Sequence, residues 1–351
     1  MKRQNPTEVY DLEKSDQIEK NPANTTTNRD LLYEQLRKDK RLDFITFHPS
    51  YSYEEFVEGI TVDTDNKTQS KDQLLYIRKC GIFKKMCTEA LANAIGEQID
   101  ASKKPWEDQW DTFYQKYKKR TVGERRQDIR TKIWEKAKKY VLVIDEINRG
   151  DISKILGELV TLLESDKRLG EENQIVVQLP YSNDEFGVPP NLYLIGTMNT
   201  ADRSISMVDV ALRRRFGFVE LPPRFDLLKS EYIDKNKDKL QKNGVYQPLM
   251  DSIAAVEKIN KNIVEKLTRD KQIGHSFFFK VHNEKDLIMA WQYEILPLIE
   301  EYYYCNYNDI IKTLDIPADN EYLNQSKGIV GFKNIQDLND FLSLVLKNKG
   351  S

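Results

Sequence analysis

No glycine is followed by a lysine anywhere in the 351 residues of this sequence. That excludes the Gly-x-x-x-x-Gly-Lys-Ser/Thr loop, whose backbone N–H groups and lysine cradle phosphates. There are three cysteines, Cys80, Cys87 and Cys305, without a Cys-x-x-Cys pair, and three histidines, His48, His275 and His282. Their number and spacing exclude a zinc-finger pattern and a disulfide framework, and fit reduced thiols in a cytoplasmic protein. Neither sign of charge is in large excess: 54 Lys and Arg face 56 Asp and Glu, for a net charge of -2. Such a balance argues against a chain that coats nucleic acid unaided, because phosphate binding wants a basic surplus. The start, MKRQNPTEVYDLEK, has no apolar core of a signal peptide, and no run approaches the length needed to span a bilayer, so neither export nor a membrane partner is expected.

What remains is ample for folding. Hydrophobic residues make up 39% and charged residues 31%, which allows a real core beneath a charged surface, in two domains or in one with a satellite. Residues 1–30 are polar and read as disordered. Helical spacing follows at Leu31, Leu32 and Leu36, then a short strand, Phe44–Phe47. Residues 61–75 read as a loop, and apolar spacing from Ile82 to Ile99 predicts a helix. Residues 100–139 are charged and aromatic and read as inserted helices. Val141–Ile144 is a continuous apolar run, the mark of a strand buried on both faces of a parallel sheet. A helix bearing Ile155, Leu156, Leu159, Leu162 and Leu163 comes next. A second such strand is Leu192–Ile195, and a third is expected at Phe216–Leu221. Strands alternating with helices indicate an α/β wound sheet over residues 31–225. After Pro222-Pro223 the pattern turns helical, predicting a small helical domain over 226–312 and a tail, 313–351, with one more amphipathic segment.

Chemistry concentrates at the ends of the strands. Asp145-Glu146 closes the first buried strand, and ligands of open α/β sheets bind beyond the carboxyl ends of their strands. The Asp suits Mg²⁺, which prefers a few carboxylates plus phosphate oxygens, while the adjacent Glu can polarise an attacking water. The plainer alternative is an acidic pair capping the helix that begins near Asp151. Asn199, just past the second strand, can hold that water or a γ-phosphate; alone, an Asn there is a turn residue. In Ala211-Leu-Arg-Arg-Arg-Phe216 three guanidinium groups precede the third expected strand. The alternative is a solvated basic run, but arginines among apolar neighbours want anionic partners, and arginine stabilises phosphoryl-transfer charge.

These residues carry a resemblance. Ile45-Thr-Phe-His-Pro-Ser-Tyr-Ser-Tyr-Glu-Glu-Phe-Val-Glu-Gly59, Ile144-Asp-Glu-Ile-Asn-Arg-Gly150, Gly196-Thr-Met-Asn-Thr-Ala-Asp-Arg-Ser204 and Asp209-Val-Ala-Leu-Arg-Arg-Arg-Phe216 are similar to the motifs of McrB-type AAA+ GTPases of modification-dependent restriction systems. Leu179-Pro-Tyr-Ser182, Ile273-Gly-His-Ser276 and Ile295–Tyr302 fit the same family, so the likeness spans about residues 44–305. It implies an AAA+ fold, an α/β core with a helical lid, and Mg²⁺ with GTP or ATP as cofactors. Asp145 then resembles the Mg²⁺-binding Walker B acid, Glu146 the catalytic acid, and Asn199 the sensor 1 residue, with Asp202 and Arg203 completing the loop. Arg214 resembles the finger reaching a neighbouring subunit's nucleotide, and Arg215 its structural partner, paired with Asp209. Gly274 and His275 sit where the lid would meet the nucleotide. The implied partners are a homo-oligomeric ring, a hexamer in this family, an McrC-like endonuclease subunit, and DNA indirectly through the complex.

The missing phosphate loop departs from that pattern. By resemblance it should lie upstream of Phe44–Phe47, after the strand that is central in the family's sheet. One expectation is a truncated or mis-started reading frame of a full motor, favoured by the intact acidic pair. Another is a catalytically silent ring subunit that lends Arg214 to its neighbour, and a non-restriction AAA+ ATPase stays open beside it. A third, a DNA-binding fragment built on Lys116, Lys118, Lys119, Arg120, Arg125, Arg126 and Arg130, is disfavoured by the acids interleaved among them.

Overall fold

The computed structural model describes residues 28–62, 76–96, 106–117, 133–201, 210–324 and 328–347. The chain divides into two compact units, Met1–Phe218 and Val219–Ser351, each with a hydrophobic core of its own.

The first unit is organised by a parallel sheet. Its strands are β1 (Leu42–Thr46), β4 (Tyr140–Asp145) and β7 (Leu192–Gly196), in the order β1-β4-β7. Phe44, Val143 and Ile195 share one register row; Ile45, Ile144 and Gly196 share the next. Successive rows face opposite sides of a pleated sheet. On one side Leu142, Ile144 and Leu192 are fully buried against Phe83, Met86, Ala90 and Leu91 of the helix Ile82–Ile95. That helix ends where Gly96 takes a left-handed conformation (φ 83°), which glycine adopts without strain. On the other side Phe44, Tyr193 and Ile195 are 58%, 37% and 52% exposed, although parallel sheets are ordinarily covered on both faces. Among the described residues no strand pairs with the outer edge of β7.

Three sequence expectations change here. Phe216–Leu221 forms no strand, and Phe218, Val219 and Leu221 lie exposed. Its pattern is strand-like, but a strand exists only by pairing, and no described edge pairs with it. Residues 61 and 62 belong not to a loop but to β2 (Glu58–Val62), which pairs antiparallel with β3 (Tyr76–Cys80). The helix after β4 is short (Ile152–Leu156), because Gly157 turns to φ 50° and the chain continues as the 3₁₀ segment Gly157–Leu163. Two-residue strands β5 (Val177–Gln178) and β6 (Glu185–Phe186) complete the described strands of this unit.

The second unit is helical apart from the two-residue strands β8 (Leu323–Asn324) and β9 (Gly328–Ile329). Its longest helix, Tyr246–Lys266, buries Leu249, Ile253, Val256 and Ile263, the three-to-four spacing of an amphipathic face. Trp291 lies in the middle of this core, its indole N–H donating to Ser252 Oγ (2.9 Å) and its ring meeting Phe341 edge-on at 5.6 Å. The segment beyond residue 312 contributes Leu314 and, from the helix Ile335–Lys347, Leu338, Phe341, Leu342 and Val345 to the same core.

Candidate functional site

Parallel pairing places the ends of β4 and β7 side by side, and the polar residues that follow each strand meet there. Thr197 N–H donates to Ile144 O (2.9 Å), and Ile147 N–H to Thr197 O (2.9 Å), so the two exits are stitched together beyond the sheet. Thr197 Oγ1 donates to Asp145 Oδ1 (2.5 Å) and accepts from the Glu146 N–H (3.3 Å). Glu146 itself is left-handed (φ 52°), a strained conformation for a non-glycine residue and one that recurs at functional turns. It turns the chain into the 3₁₀ segment Ile147–Arg149, whose Arg149 Nε lies 3.2 Å from Glu146 Oε2. Asp151, not the acidic pair, caps the next helix, accepting from Lys154 N–H (3.2 Å).

Asn148 is buried, donates to Asn199 O (3.4 Å), and has no partner for its Oδ1 among the described residues. The Asn199 side chain, exposed, accepts from Ala201 N–H (3.0 Å). Asp145, Glu146 and Asn199 are thus brought to one end of one sheet. Asp202, Arg203 and Asp209 fall outside the described residues, as do residues 118–132 of the basic stretch. Asp145 with the Thr197 hydroxyl offers two hard oxygen ligands. No group of three or more metal-ligating side chains gathers among the described residues. That sparse oxygen set fits Mg²⁺, which keeps several waters and takes substrate phosphates, better than an ion needing an all-protein cage.

The arginines separate by burial. Arg215 is 4% exposed, with Nη2 3.0 Å from Glu164 Oε1, whereas Arg214 is 68% exposed and reaches the same oxygen only at 4.0 Å. In the second unit, His275 follows Gly274 at the start of a 3₁₀ turn, and its Nδ1 lies 3.1 Å from Arg224 N. Gly274 has φ -70°, a conformation open to any residue.

The sequence reading missed several residues. Thr197 sits inside a quoted motif, and the pairing of Ile144 with Gly196 is the signal that puts it beside Asp145. Arg149 likewise lies inside a quoted motif without having been singled out, and Glu164 carries no sequence signal beyond its charge. A larger omission is a buried ionic cluster away from the strand ends. Lys84 Nζ is 2.6 Å from both Glu58 Oε2 and Asp184 Oδ2 and donates to Ser182 Oγ at 3.2 Å. Glu58 Oε1 also accepts the N–H groups of Tyr181 and Ser182, at 3.0 and 2.9 Å. Burial opposes ionisation of Glu58 and Asp184. Bonds from Lys84 and Ser182 to Glu58, and from Glu107, Lys84 and Ser182 to Asp184, outweigh it and hold both carboxyls below their usual range.

Comparison with known proteins follows the same division. The model of the AAA domain (dynein-related subfamily) matches residues 26–216, more than half of the chain, and that of the McrB alpha-helical lid domain matches residues 251–311. The Type IV methyl-directed restriction enzyme EcoKMcrB subunit of Escherichia coli (strain K12) is 32% identical over 279 residues, covering 76% of this chain and 48% of that protein. The Type II restriction enzyme BsuMI component YdiS of Bacillus subtilis (strain 168) is 29% identical over 152 residues, 40% of this chain and 42% of its own. The chain therefore spans less than half the length of either relative.

Proposed function

Because this chain belongs to the dynein-related AAA family and is an McrB-type AAA+ protein, we propose that it is a nucleoside-triphosphatase motor subunit, hydrolysing GTP or ATP, of a modified-DNA restriction system. One observation carries the reading. Two adjacent parallel strands deliver Asp145-Glu146 and Thr197–Asn199 to a common end, tied by the Thr197–Asp145 hydrogen bond. Asp145 and Thr197 are the residues that would hold Mg²⁺, which when bound offsets charge on phosphate oxygens. Glu146 orients and polarises the attacking water, with Arg149 fixing its carboxylate. Asn199, its main chain anchored by Asn148, serves in this reading to hold that water or a γ-phosphate. Arg214, the exposed member of the arginine pair, acts on nucleotide held by the next protomer of a ring, and Arg215 with Glu164 anchors it. The ring, a hexamer in this reading, would drive an endonuclease subunit and meet DNA through that complex. The 351 residues hold no Gly-Lys pair, so in this reading the phosphate cradle is supplied to Asp145 and Glu146 from outside them.

The test starts with the chain itself, which should bind a fluorescent GTP or ATP analogue with Mg²⁺ only weakly; micromolar affinity would contradict the need for an added cradle. Extension with an apolar strand and a Gly-x-x-x-x-Gly-Lys-Ser loop should bring hydrolysis, which Glu146→Gln should abolish while sparing binding. Arg214→Ala should also stop turnover, an arginine finger being worth about 10³–10⁵ in rate. Mixing the two dead variants then separates the motor from a silent subunit. In a head-to-tail ring some interfaces join an intact Glu146 site to an intact Arg214. Activity should partly return. A mixture that forms mixed rings yet stays inactive sinks the trans role of Arg214.

A further inference from the structure

Thr197 has a counterpart on the other flank of Asp145. Thr46, the last residue of β1, pairs with Asp145 in the parallel ladder, as Phe44 pairs with Val143 two rows earlier. The ladder runs on past that row, because Phe47 N–H donates to Asp145 O (2.9 Å), so Thr46 keeps strand geometry where the sheet ends. On the far side, Thr197 follows Gly196, the partner of Ile144, and its N–H donates to Ile144 O (2.9 Å). That bond carries the exit of β7 into the same row. Side chains of one row leave the same face of a pleated sheet. Thr46, Asp145 and Thr197 therefore stand abreast on neighbouring strands, a carboxylate between two hydroxyls. The face they share is the one on which Phe44 and Ile195 lie exposed.

The two hydroxyls are not used alike. Thr197 Oγ1 donates to Asp145 Oδ1 and accepts from the Glu146 N–H. Thr46 is exposed, and among the described residues none hydrogen-bonds its hydroxyl or the second carboxylate oxygen, Asp145 Oδ2. Strand propensity explains a threonine somewhere in β1, but not an oxygen in this particular row. Adjacent strands lie about 4.8 Å apart, so the main chains of Thr46 and Thr197 are separated by about 10 Å. That is too wide for both hydroxyls to ligate one Mg²⁺ at about 2.1 Å, and it suits an ion that keeps its waters. Resting on the reading that Asp145 is the Mg²⁺-binding acid, we infer that Thr46 is a further residue of that site and acts through water. Its hydroxyl oxygen accepts a hydrogen bond from a water of the hydrated ion held at Asp145, since water bound to a dication is a donor.

The experiment uses the 351-residue protein labelled with ¹⁵N-threonine, the signals of Thr46 and Thr197 assigned by single substitution. The probe is hexaamminecobalt(III), whose ammines do not exchange, so it copies a hydrated dication without offering an open ligand position. Titrated through the millimolar range, it should move the Thr46 and Thr197 amide signals saturably, and excess Mg²⁺ should reverse the shift. Thr46→Val keeps the β-branched shape that a strand prefers and removes only the hydroxyl. It should melt like the parent and bind the probe about tenfold more weakly, the worth of one hydrogen bond. Thr46→Ser should bind as the parent does. Asp145→Asn should lose binding altogether. Parent-like affinity in Thr46→Val, or a serine variant as weak as the valine one, overturns the role of Thr46 while leaving Asp145 as the ion's ligand. Undiminished binding in Asp145→Asn overturns the Mg²⁺ reading of Asp145 itself. The two failures are thus read from different variants, and neither needs turnover.

Discussion

Lys84 places one ammonium between two carboxylates inside the first unit, where each side chain is less than one-tenth exposed. Breaking a buried pair by deleting one partner leaves uncompensated charge, at a cost of about 3–5 kcal/mol. Lys84→Met should therefore lower the denaturation free energy of the first unit by that order. The pH dependence follows from the shifts. Glu58 and Asp184 titrate below their unfolded values, so their contribution is present above about pH 4 and is lost as pH falls through the folded values. Burial lowers the Lys84 value, but its bonds to Asp184 and Glu58 raise it overall, so its share persists until pH rises past about 10. Acid titration of unfolding should show the parent losing stability on that lower limb, and Lys84→Met, which lacks the bonds that depress the two carboxyls, losing less there. An acid limb equally steep in both proteins would show that the cluster contributes nothing to it. None of this was legible in the sequence, because Glu58 and Asp184 stand 26 and 100 residues from Lys84. Asp145 and Glu146 were legible for the opposite reason: their place at a strand end is announced by the apolar run they terminate.

Elements were readable where their burial is local. β4 is buried along most of its length and an unbroken apolar run marks it, while β7 carries a similar run although Tyr193 and Ile195 lie exposed. The β2–β3 hairpin is short, mixes polar and apolar residues, and leaves every residue of β3 exposed, so no period identifies it. Phe216–Leu221 shows the converse, a strand pattern without a strand, since pairing depends on a neighbour that the local sequence does not contain. The hairpin is secured at its root by close contact rather than by pattern. A Cβ on Gly81 would fall 2.4 Å from the main-chain carbon of Phe56, and Gly81 N–H donates to Val57 O (2.8 Å). Backbone cannot yield as a flexible side chain does, so Gly81→Ala should destabilise by about 3 kcal/mol. Gly217, where an added methyl would meet nothing within 4 Å, is the control, and its alanine variant should stay within about 0.5 kcal/mol of the parent. Equal denaturation midpoints for the two variants would show that the hairpin root tolerates the added carbon.

At the scale of the whole chain, the second unit has what an independent folding body requires. Its core runs from Phe225 to Val345 and includes a fully buried tryptophan. Residues 219–351 produced alone should melt cooperatively, and Trp291→Ala should cost about 3–5 kcal/mol in that fragment. A broad, non-cooperative melt would mean that this core does not support itself. The first unit has a different liability, in the uncovered sheet face and the open margin of β7. Phe44, Tyr193 and Ile195 form a greasy plate beside a margin with which no described strand pairs, a ready template for another strand. In a test tube such a surface sets a shelf life: light scattering by the purified 351-residue chain should climb with concentration, and Ile195→Lys should delay its onset.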